Sequence, residues 1–250
     1  MLTFGSLFAG IGGFDLGFER AGMKCLWQVE KDPFCQKVLA KHWPNVPKYD
    51  DVLTVGSDNL ETVDVICGGF PCQPHSYAGK RKASRDDRDL WGEFARIISE
   101  IKPGWVVAEN VPGLLSSENG RYFGRVLRDL AQMGYDAEWG SITASSFGVH
   151  HIRERVILLA YPNIGNAQKN GTIFDQTVPI PKAWTLVKYD RLFNTAWYDL
   201  KPDIGDRRSG NGVPDQLDRL RSLGNAVVPQ VAEFVGSLIV EANKVCVKPE

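Results

Sequence analysis

The stretch Leu2-Thr-Phe-Gly-Ser-Leu-Phe-Ala-Gly-Ile-Gly-Gly-Phe-Asp-Leu-Gly-Phe-Glu-Arg-Ala21 decides the fold class of this 250-residue chain. Residues 2–8 form an apolar run typical of a strand, and residues 15–21 carry apolar positions at helical spacing. The glycines between them allow the backbone to approach a ligand closely, and the following helix offers free backbone N–H groups. The turn at 8–13 is therefore a candidate ligand site, although a tight strand–helix turn by itself also requires glycine.

The same alternation of strand and helix continues to residue 160. Apolar runs predict further strands at 25–29, 63–67, 105–108 and 156–160, with helical periodicity at 33–42, 90–101 and 122–133. This order predicts an α/β fold with a mostly parallel sheet flanked by helices. Glu30 follows the second strand, where a carboxylate can bind ribose hydroxyls. The glycine order G-x-G-G fits the G-x-G-x-x-G of a nicotinamide oxidoreductase poorly.

Composition narrows the class of protein. Hydrophobic residues make up 43% and charged residues 24%, as in ordinary globular chains, and the net charge of −1 argues against coating nucleic acid by bulk charge. A net charge near zero is still compatible with a local basic groove. We find no apolar run of about 20 residues and no signal-peptide pattern, so we expect a cytoplasmic protein with no membrane partner. Five irregularly spaced cysteines without a C-x-x-C pair predict free thiols and no metal site.

The pattern changes after residue 161. Residues 162–221 hold five prolines, scattered aromatic residues and no sustained period, and a helical pattern returns over 225–242. We predict a main α/β domain over 1–161, a small lobe over 162–221, and a segment over 222–250 whose helix returns to the main domain.

Two cysteines lie around the end of the strand predicted at 63–67. Cys72, in the loop Gly68-Gly-Phe-Pro-Cys-Gln-Pro-His-Ser76, lies where open α/β sheets place their sites, with a proline on either side. Its thiol would need an electropositive setting to act as a nucleophile, and loop cysteines are also often structural. Cys67, inside the apolar run, is expected to be buried.

An acid and two arginines are further candidates. Glu109 ends an apolar strand, where burial would raise the pKa of its carboxyl and suit it to general acid chemistry, or it caps the next turn. Arg153 and Arg155 point the same way on an extended segment and can hold an anion, a carboxylate or a base edge. The adjacent His150 and His151 have poor geometry for one metal ion.

The segment 79–89 mixes basic and acidic residues after the cysteine loop. Its cations predict either a solvated face or a flap that contacts phosphates. They are Lys80, Arg81, Lys82, Arg85 and Arg88.

Taken together and in this order, these motifs resemble the cytosine-C5 DNA methyltransferases. The matching stretches are 8–13, 71–73, 109–111, 153–155 and 224–227. The resemblance implies a Rossmann-like S-adenosylmethionine-dependent methyltransferase fold, with 162–221 as a small target-recognition region. It also implies methyl transfer from S-adenosylmethionine to C5 of a cytosine that is flipped out of double-stranded DNA.

The resemblance assigns a cofactor pocket. Glu30 would bind the ribose hydroxyls, Asp51 would meet the adenine amino group, and Asn225 would close the methionine side. The full set that it implies is Phe8, Gly10, Ile11, Gly12, Gly13, Glu30, Asp51, Val52, Phe70, Asn225, Ala226 and Val227.

The resemblance also assigns the chemistry. Cys72 would attack C6 of cytosine through a covalent adduct, Glu109 would protonate or hydrogen-bond N3, and Arg155 would bind O2. Pro71, Asn110 and Arg153 complete the implied catalytic set, and the cations of segment 79–89 would contact DNA.

The chain departs from the family pattern at two positions. Ser6 stands where the family often has aspartate, and His151 stands where glutamine is common. The alternatives are a transfer-RNA cytosine-5 methyltransferase and a non-catalytic DNA-binding relic. We expect a monomer. Solitary modification and pairing with a cognate restriction endonuclease both stay open, because a partner would be encoded elsewhere.

Overall fold

The computed structural model describes residues 1–71, 89–147, 153–163 and 222–246. The proposed nucleophile Cys72, the five cations of segment 79–89 and His150 and His151 lie outside the described residues. So does the predicted lobe, apart from residues 162 and 163.

The described residues form one seven-stranded sheet in the order β3-β2-β1-β4-β5-β7-β6. Its strands are β1 (Thr3–Leu7), β2 (Lys24–Val29), β3 (Lys48–Tyr49), β4 (Val65–Gly68), β5 (Trp105–Asn110), β6 (Tyr135–Thr143) and β7 (Glu154–Pro162). Strands β1 to β5 pair in parallel, whereas β7 runs antiparallel to both of its neighbours. The predicted α/β class with a mostly parallel sheet is confirmed.

Helices connect the strands. They are α1 (Gly13–Arg20), α2 (Pro33–His42), α3 (Trp91–Ile101), α4 (Gly113–Ser116), α5 (Arg121–Gln132) and α6 (Pro229–Cys246). The helix α2 begins where its periodicity predicts, because the Asp32 side chain accepts from two backbone N–H groups and Pro33 occupies the first turn. In α3 the residues at helical spacing from Trp91 to Ile101 are buried, as expected for an amphipathic helix.

Each face of the sheet carries its own apolar layer. On one face, residues of α3 and α5 such as Phe94 and Val126 pack against the strands. On the other face, α1 packs against α6, with Phe18 and Val235 fully buried. These two helices approach closely, because a Cβ built on Gly17 would lie 2.5 Å from the Cβ of Ala232.

One stretch in the described part of the chain, Ser222–Lys244, which includes most of α6, is long and apolar enough to cross a membrane by length and composition. Half of its apolar window is buried within the protein. Its packing against α1 is that of a core helix, which passes the same test.

The position of β1 determines where a ligand can bind. Strand β1 pairs with β2 on one side and with β4 on the other, so the order of the chain reverses between β1 and β4. In open α/β sheets the crevice at the carboxyl ends of the strands beside such a switch point is the usual ligand site.

Candidate active site

The glycine-rich turn leaves the carboxyl end of β1 and enters α1. Phe8, Gly10 and Gly12 all have positive φ, at 52°, 56° and 87°. Such a φ is uncommon for an aromatic residue, and strained backbone of this kind concentrates at ligand sites. At Gly12 a side chain is also excluded by packing, because an added Cβ would lie 2.4 Å from the Trp43 ring.

Glu30 fixes the outer side of this turn. Its Oε2 accepts a hydrogen bond from the Gly10 N–H at 2.7 Å, and its Oε1 accepts one from the Asp32 N–H at 2.7 Å. Burial raises the pKa of this carboxyl above its usual range. Each carboxylate oxygen keeps a further lone pair for another donor. A Cβ built on Gly10 would meet no described atom within 4 Å, so open space lies beside the turn.

Asp51 and Val52 follow β3 at the same edge of the sheet. The Asp51 Oδ1 accepts from the Leu53 N–H at 3.0 Å and caps a 3-10 helix at Val52–Thr54. This hydrogen bond, and that from Lys31 Nζ at 3.0 Å, lower the pKa of the Asp51 carboxyl. From α3, Arg96 donates to the carbonyls of Val52 and Val55 at 3.0 and 2.9 Å, a contact the sequence analysis missed.

The end of β4 carries the chain toward residue 72. Phe70 is buried against Trp91, with ring centroids 5.3 Å apart, and its carbonyl accepts from the Asn110 Nδ2 at 3.3 Å. A Cβ built on Gly69 would lie 3.0 Å from Glu109 Oε2. The last described residues before Cys72, ending at the half-buried Pro71, therefore pass directly beside the Glu109 carboxyl.

Glu109 lies at the end of β5 and is 7% exposed, which confirms the predicted burial. Its Oε1 forms an ion pair with the Arg155 Nε at 2.9 Å. Burial raises the pKa of Glu109, and the nearby Arg155 and Arg153 oppose that rise without cancelling it. A carboxyl in this setting keeps its proton at a higher pH than a solvated one does.

The two arginines at the start of β7 face the same cavity as Glu109, as their spacing predicts. Arg153 donates to the carbonyls of Gly224 and, at 2.8 Å, Ala226. Burial, followed by repulsion from Arg155, lowers the pKa of Arg153 to about 10. The remaining wall of the cavity is apolar and consists of Ile142, Ile157, Val227, Val228 and Val231.

The residues 224–227 connect this cavity to the glycine-rich turn. The Val227 carbonyl lies so close to α1 that a Cβ built on Gly13 would be 2.2 Å from its oxygen. Asn225 is exposed at the end of a helical turn over 222–225. The carboxyl ends of the parallel strands and the start of β7 thus bring the described candidates to one edge of the sheet.

A buried polar cluster beneath the turn was missed by the sequence analysis. The Asp15 carboxylate accepts from Gln28 Nε2 at 2.7 Å and from the Ser6 hydroxyl at 3.1 Å, and burial raises its pKa to about 6. The signal for this cluster in the sequence was one polar residue, Ser6, Asp15 or Gln28, in each of three apolar segments. Cys67 is buried, as predicted, and its thiol has a pKa well above the usual range.

Solved structures of methyltransferases share this fold. The Dnmt2 methyltransferase of S. pombe superposes with a TM-score of 0.65 over 97% of this chain and 100% of that one, at 16% identity. A protein assigned as a DNA modification methyltransferase within an E. coli prophage superposes with a TM-score of 0.56 at 28% identity, over 65% of this chain and 47% of that one. The fold therefore defines the class of Rossmann-like methyltransferases.

Within that class, residues 2–207 match the family described as C-5 cytosine-specific DNA methylase, and the chain belongs to that family. The Type II methyltransferase M.HhaI of Haemophilus parahaemolyticus is 34% identical over 67% of this chain and 51% of its own length. M.BsuFI of Bacillus subtilis is 34% identical over 66% of this chain and 40% of its own length. The chain spans about half the length of the relatives it matches.

Proposed function

We propose that this chain is a DNA (cytosine-5-)-methyltransferase that transfers a methyl group from S-adenosylmethionine to C5 of a cytosine in a short DNA site. The observation that carries the proposal is Glu109, a buried carboxyl of raised pKa that lies 2.9 Å from Arg155. It occupies the same sheet edge as the crevice formed by Glu30 and Gly10. Membership of the family and the Type II methyltransferase names of its relatives support the proposal.

The crevice at the glycine-rich turn fits an adenosyl cofactor. Glu30 has lone pairs left for the ribose hydroxyls, and the space at Gly10 is free of described atoms. Asp51, held by its cap contact, would meet the adenine amino group. S-adenosylmethionine supplies a methyl group on a positively charged sulfur. The other residues proposed to line the pocket are Phe8, Ile11, Gly12, Gly13, Val52, Phe70, Asn225, Ala226 and Val227.

The part of the site that contains Cys72, Glu109 and Arg155 activates C5 of cytosine, which is a poor nucleophile. The Cys72 thiolate forms a bond to C6 while N3 takes the proton held by Glu109, and the released electron pair makes C5 nucleophilic enough to take the methyl group. A base, which a bound water molecule could supply, then removes the C5 proton. The C6–sulfur bond then breaks, which returns the Cys72 thiolate, and N3 gives its proton back to Glu109. Arg155 holds O2 throughout.

The raised pKa of Glu109 favours this proton transfer, because burial makes its carboxyl hold a proton at a higher pH than a solvated carboxyl does. Cys72 lies outside the described residues, so its role rests on the resemblance. The neighbouring Pro71 and Asn110 support it, because the Asn110–Phe70 hydrogen bond holds the chain that enters the cysteine loop.

The target cytosine must leave the base stack before C6 can be attacked. We propose that the cations of segment 79–89 contact the phosphates and that 162–221 recognises the site, which defines the domains as 1–161, 162–221 and 222–250. We further propose a monomer in the cytoplasm, acting on double-stranded DNA, alone or beside a cognate restriction endonuclease. Family membership removes the nicotinamide oxidoreductase alternative.

Bisulfite sequencing of DNA from a methylation-deficient bacterium that expresses the protein tests the proposal. We expect protected cytosines in one recurring context, absent from a Cys72→Ala strain. Cys67→Ala is the matched control, because the buried Cys67 thiol cannot serve as a nucleophile. No protected cytosines from a folded protein would overturn the DNA proposal. Bisulfite sequencing of transfer RNA from the same cells would then separate the RNA enzyme from an inactive relic.

A further inference from the structure

The guanidinium of Arg153 binds backbone carbonyls. Its two terminal nitrogens donate to the Gly224 and Ala226 carbonyls, more than seventy residues away in sequence. Among the described residues, no carboxylate lies within ion-pair distance of its guanidinium, whereas Arg155, two residues later, pairs with Glu109. The two arginines face one cavity and hold different partners.

The carbonyls that Arg153 contacts need a donor. A helical turn over 222–225 ends with the Ala226 N–H donating to the Ser222 carbonyl, and α6 begins only at Pro229. The proline disfavours helical backbone at the preceding residue, so the two helices are not continuous. Carbonyls at a helix C-terminus lack intrahelical partners and carry partial negative charge, which a guanidinium satisfies well.

The segment held in this way touches both halves of the site. The Val227 oxygen lies against Gly13 at the start of α1, where even a Cβ would approach it to 2.2 Å. Val227 and Val228 also line the cavity that contains Glu109 and Arg155. A shift of this segment would therefore move a wall of that cavity and the support of the glycine-rich turn together.

We infer that Arg153 is a positioning residue, which fixes residues 224–228 against the glycine-rich turn. It thereby sets the shape of the cofactor pocket from the side of the cavity that contains Glu109 and Arg155. The inference rests on the proposed function. It departs from a catalytic role, because Arg153 acts through the backbone of the segment and not on the cytosine.

Binding of S-adenosylhomocysteine without DNA, measured by isothermal titration calorimetry, tests this role. Arg153→Lys keeps the charge but loses the paired contact to two carbonyls, and loss of a charge-assisted hydrogen bond corresponds to roughly 10- to 100-fold in affinity. We expect a loss in that range for Arg153→Lys. Arg128→Lys, at an exposed position on α5, is the matched control: it makes the same change outside the site and should stay within about twofold of the wild type. An unchanged affinity in Arg153→Lys, or equal losses in both variants, would overturn the inference.

Amide hydrogen exchange over 222–228 in the free protein supplies a readout that does not depend on the cofactor. We expect faster exchange in Arg153→Lys and unchanged exchange in Arg128→Lys. If the wild type fails to bind S-adenosylhomocysteine, the proposed function fails, while the exchange rates still decide the role of Arg153. Arg153→Gln, which keeps one donor nitrogen, takes the place of the lysine variant if that variant does not fold. If neither folds, Arg153 is required by the fold itself and the inference is wrong.

Discussion

Replacing Asp15 by asparagine should remove a pH dependence from the free energy of unfolding. The Asp15 carboxyl is fully buried beneath the glycine-rich turn, and desolvation raises its pKa from 3.8 to about 6, although Gln28 and Ser6 donate to it. An asparagine fits the same contacts, because its oxygen can accept from Gln28 while its amide donates to the Ser6 hydroxyl. The variant therefore removes the charge and keeps the packing.

The magnitude follows from linkage. A shift from 3.8 to about 6 is worth about 3 kcal/mol at 1.36 kcal/mol per pKa unit. Because the folded-state pKa is raised, the folded protein binds the proton more tightly than the unfolded chain does. The contribution to stability is fully present below the unfolded pKa of 3.8, falls as the pH rises toward 6, and is absent above it. Other buried carboxyls, such as Glu30 and Glu109, change stability in the same direction, so only a difference between variants isolates Asp15.

Urea unfolding at a series of pH values between about 4 and 8 measures this difference. The free energy of unfolding of the wild type minus that of Asp15→Asn should fall by about 2 kcal/mol across the series, mostly below pH 6. Asp58→Asn, which removes an exposed carboxylate outside the buried cluster, is the matched control. A flat difference between wild type and Asp15→Asn would refute the reasoning, because the buried carboxyl would then titrate as it does in the unfolded chain.

Four further substitutions test other parts of the structure. Gly10→Ala and Gly22→Ala both force a side chain into positive φ without a clash, and each should cost about 1 kcal/mol of stability. Only the former should abolish S-adenosylhomocysteine binding in calorimetry. Glu109→Gln should slow single-turnover methylation by roughly 100- to 10,000-fold without weakening DNA binding. The wild-type rate should fall as rising pH deprotonates Glu109, whereas the rate of the variant should not show this fall. Gly5→Ala would place a Cβ 2.0 Å from the Trp27 ring and should lower the unfolding free energy by about 3 kcal/mol in urea titrations; an unchanged midpoint would contradict this packing.

The strands and helices were predictable where the spacing of apolar residues along the sequence indicates them. Apolar runs gave the buried strands, such as β4 and β5, and the spacing from Pro33 to His42 gave α2 in full. The acid Glu109 stood out because a carboxylate is unusual at the end of a buried strand. These features depend on neighbours in sequence, which periodicity reports directly.

The features that sequence reasoning missed depend on distant neighbours. Strand β6 was not predicted because it lies at the sheet edge, is only partly buried, and leaves Trp139 exposed. The spacing of Arg153 and Arg155 predicted a common direction but not their different partners, since the Gly224 carbonyl and Glu109 come from other segments. The same holds for Asp15 and Gln28, whose polar character is explained only when they meet.

The close packing of α1 against α6 has a consequence for how the protein is made. The two helices come from opposite ends of the described sequence, and their contact at Gly17 and Ala232 leaves no room for a substitute side chain. A ribosome releases Phe14 and Phe18 long before it releases the residues that bury them. The part of the apolar face of α1 that α6 covers therefore stays exposed until the last helix has been made, so this contact forms late and is long-range in sequence.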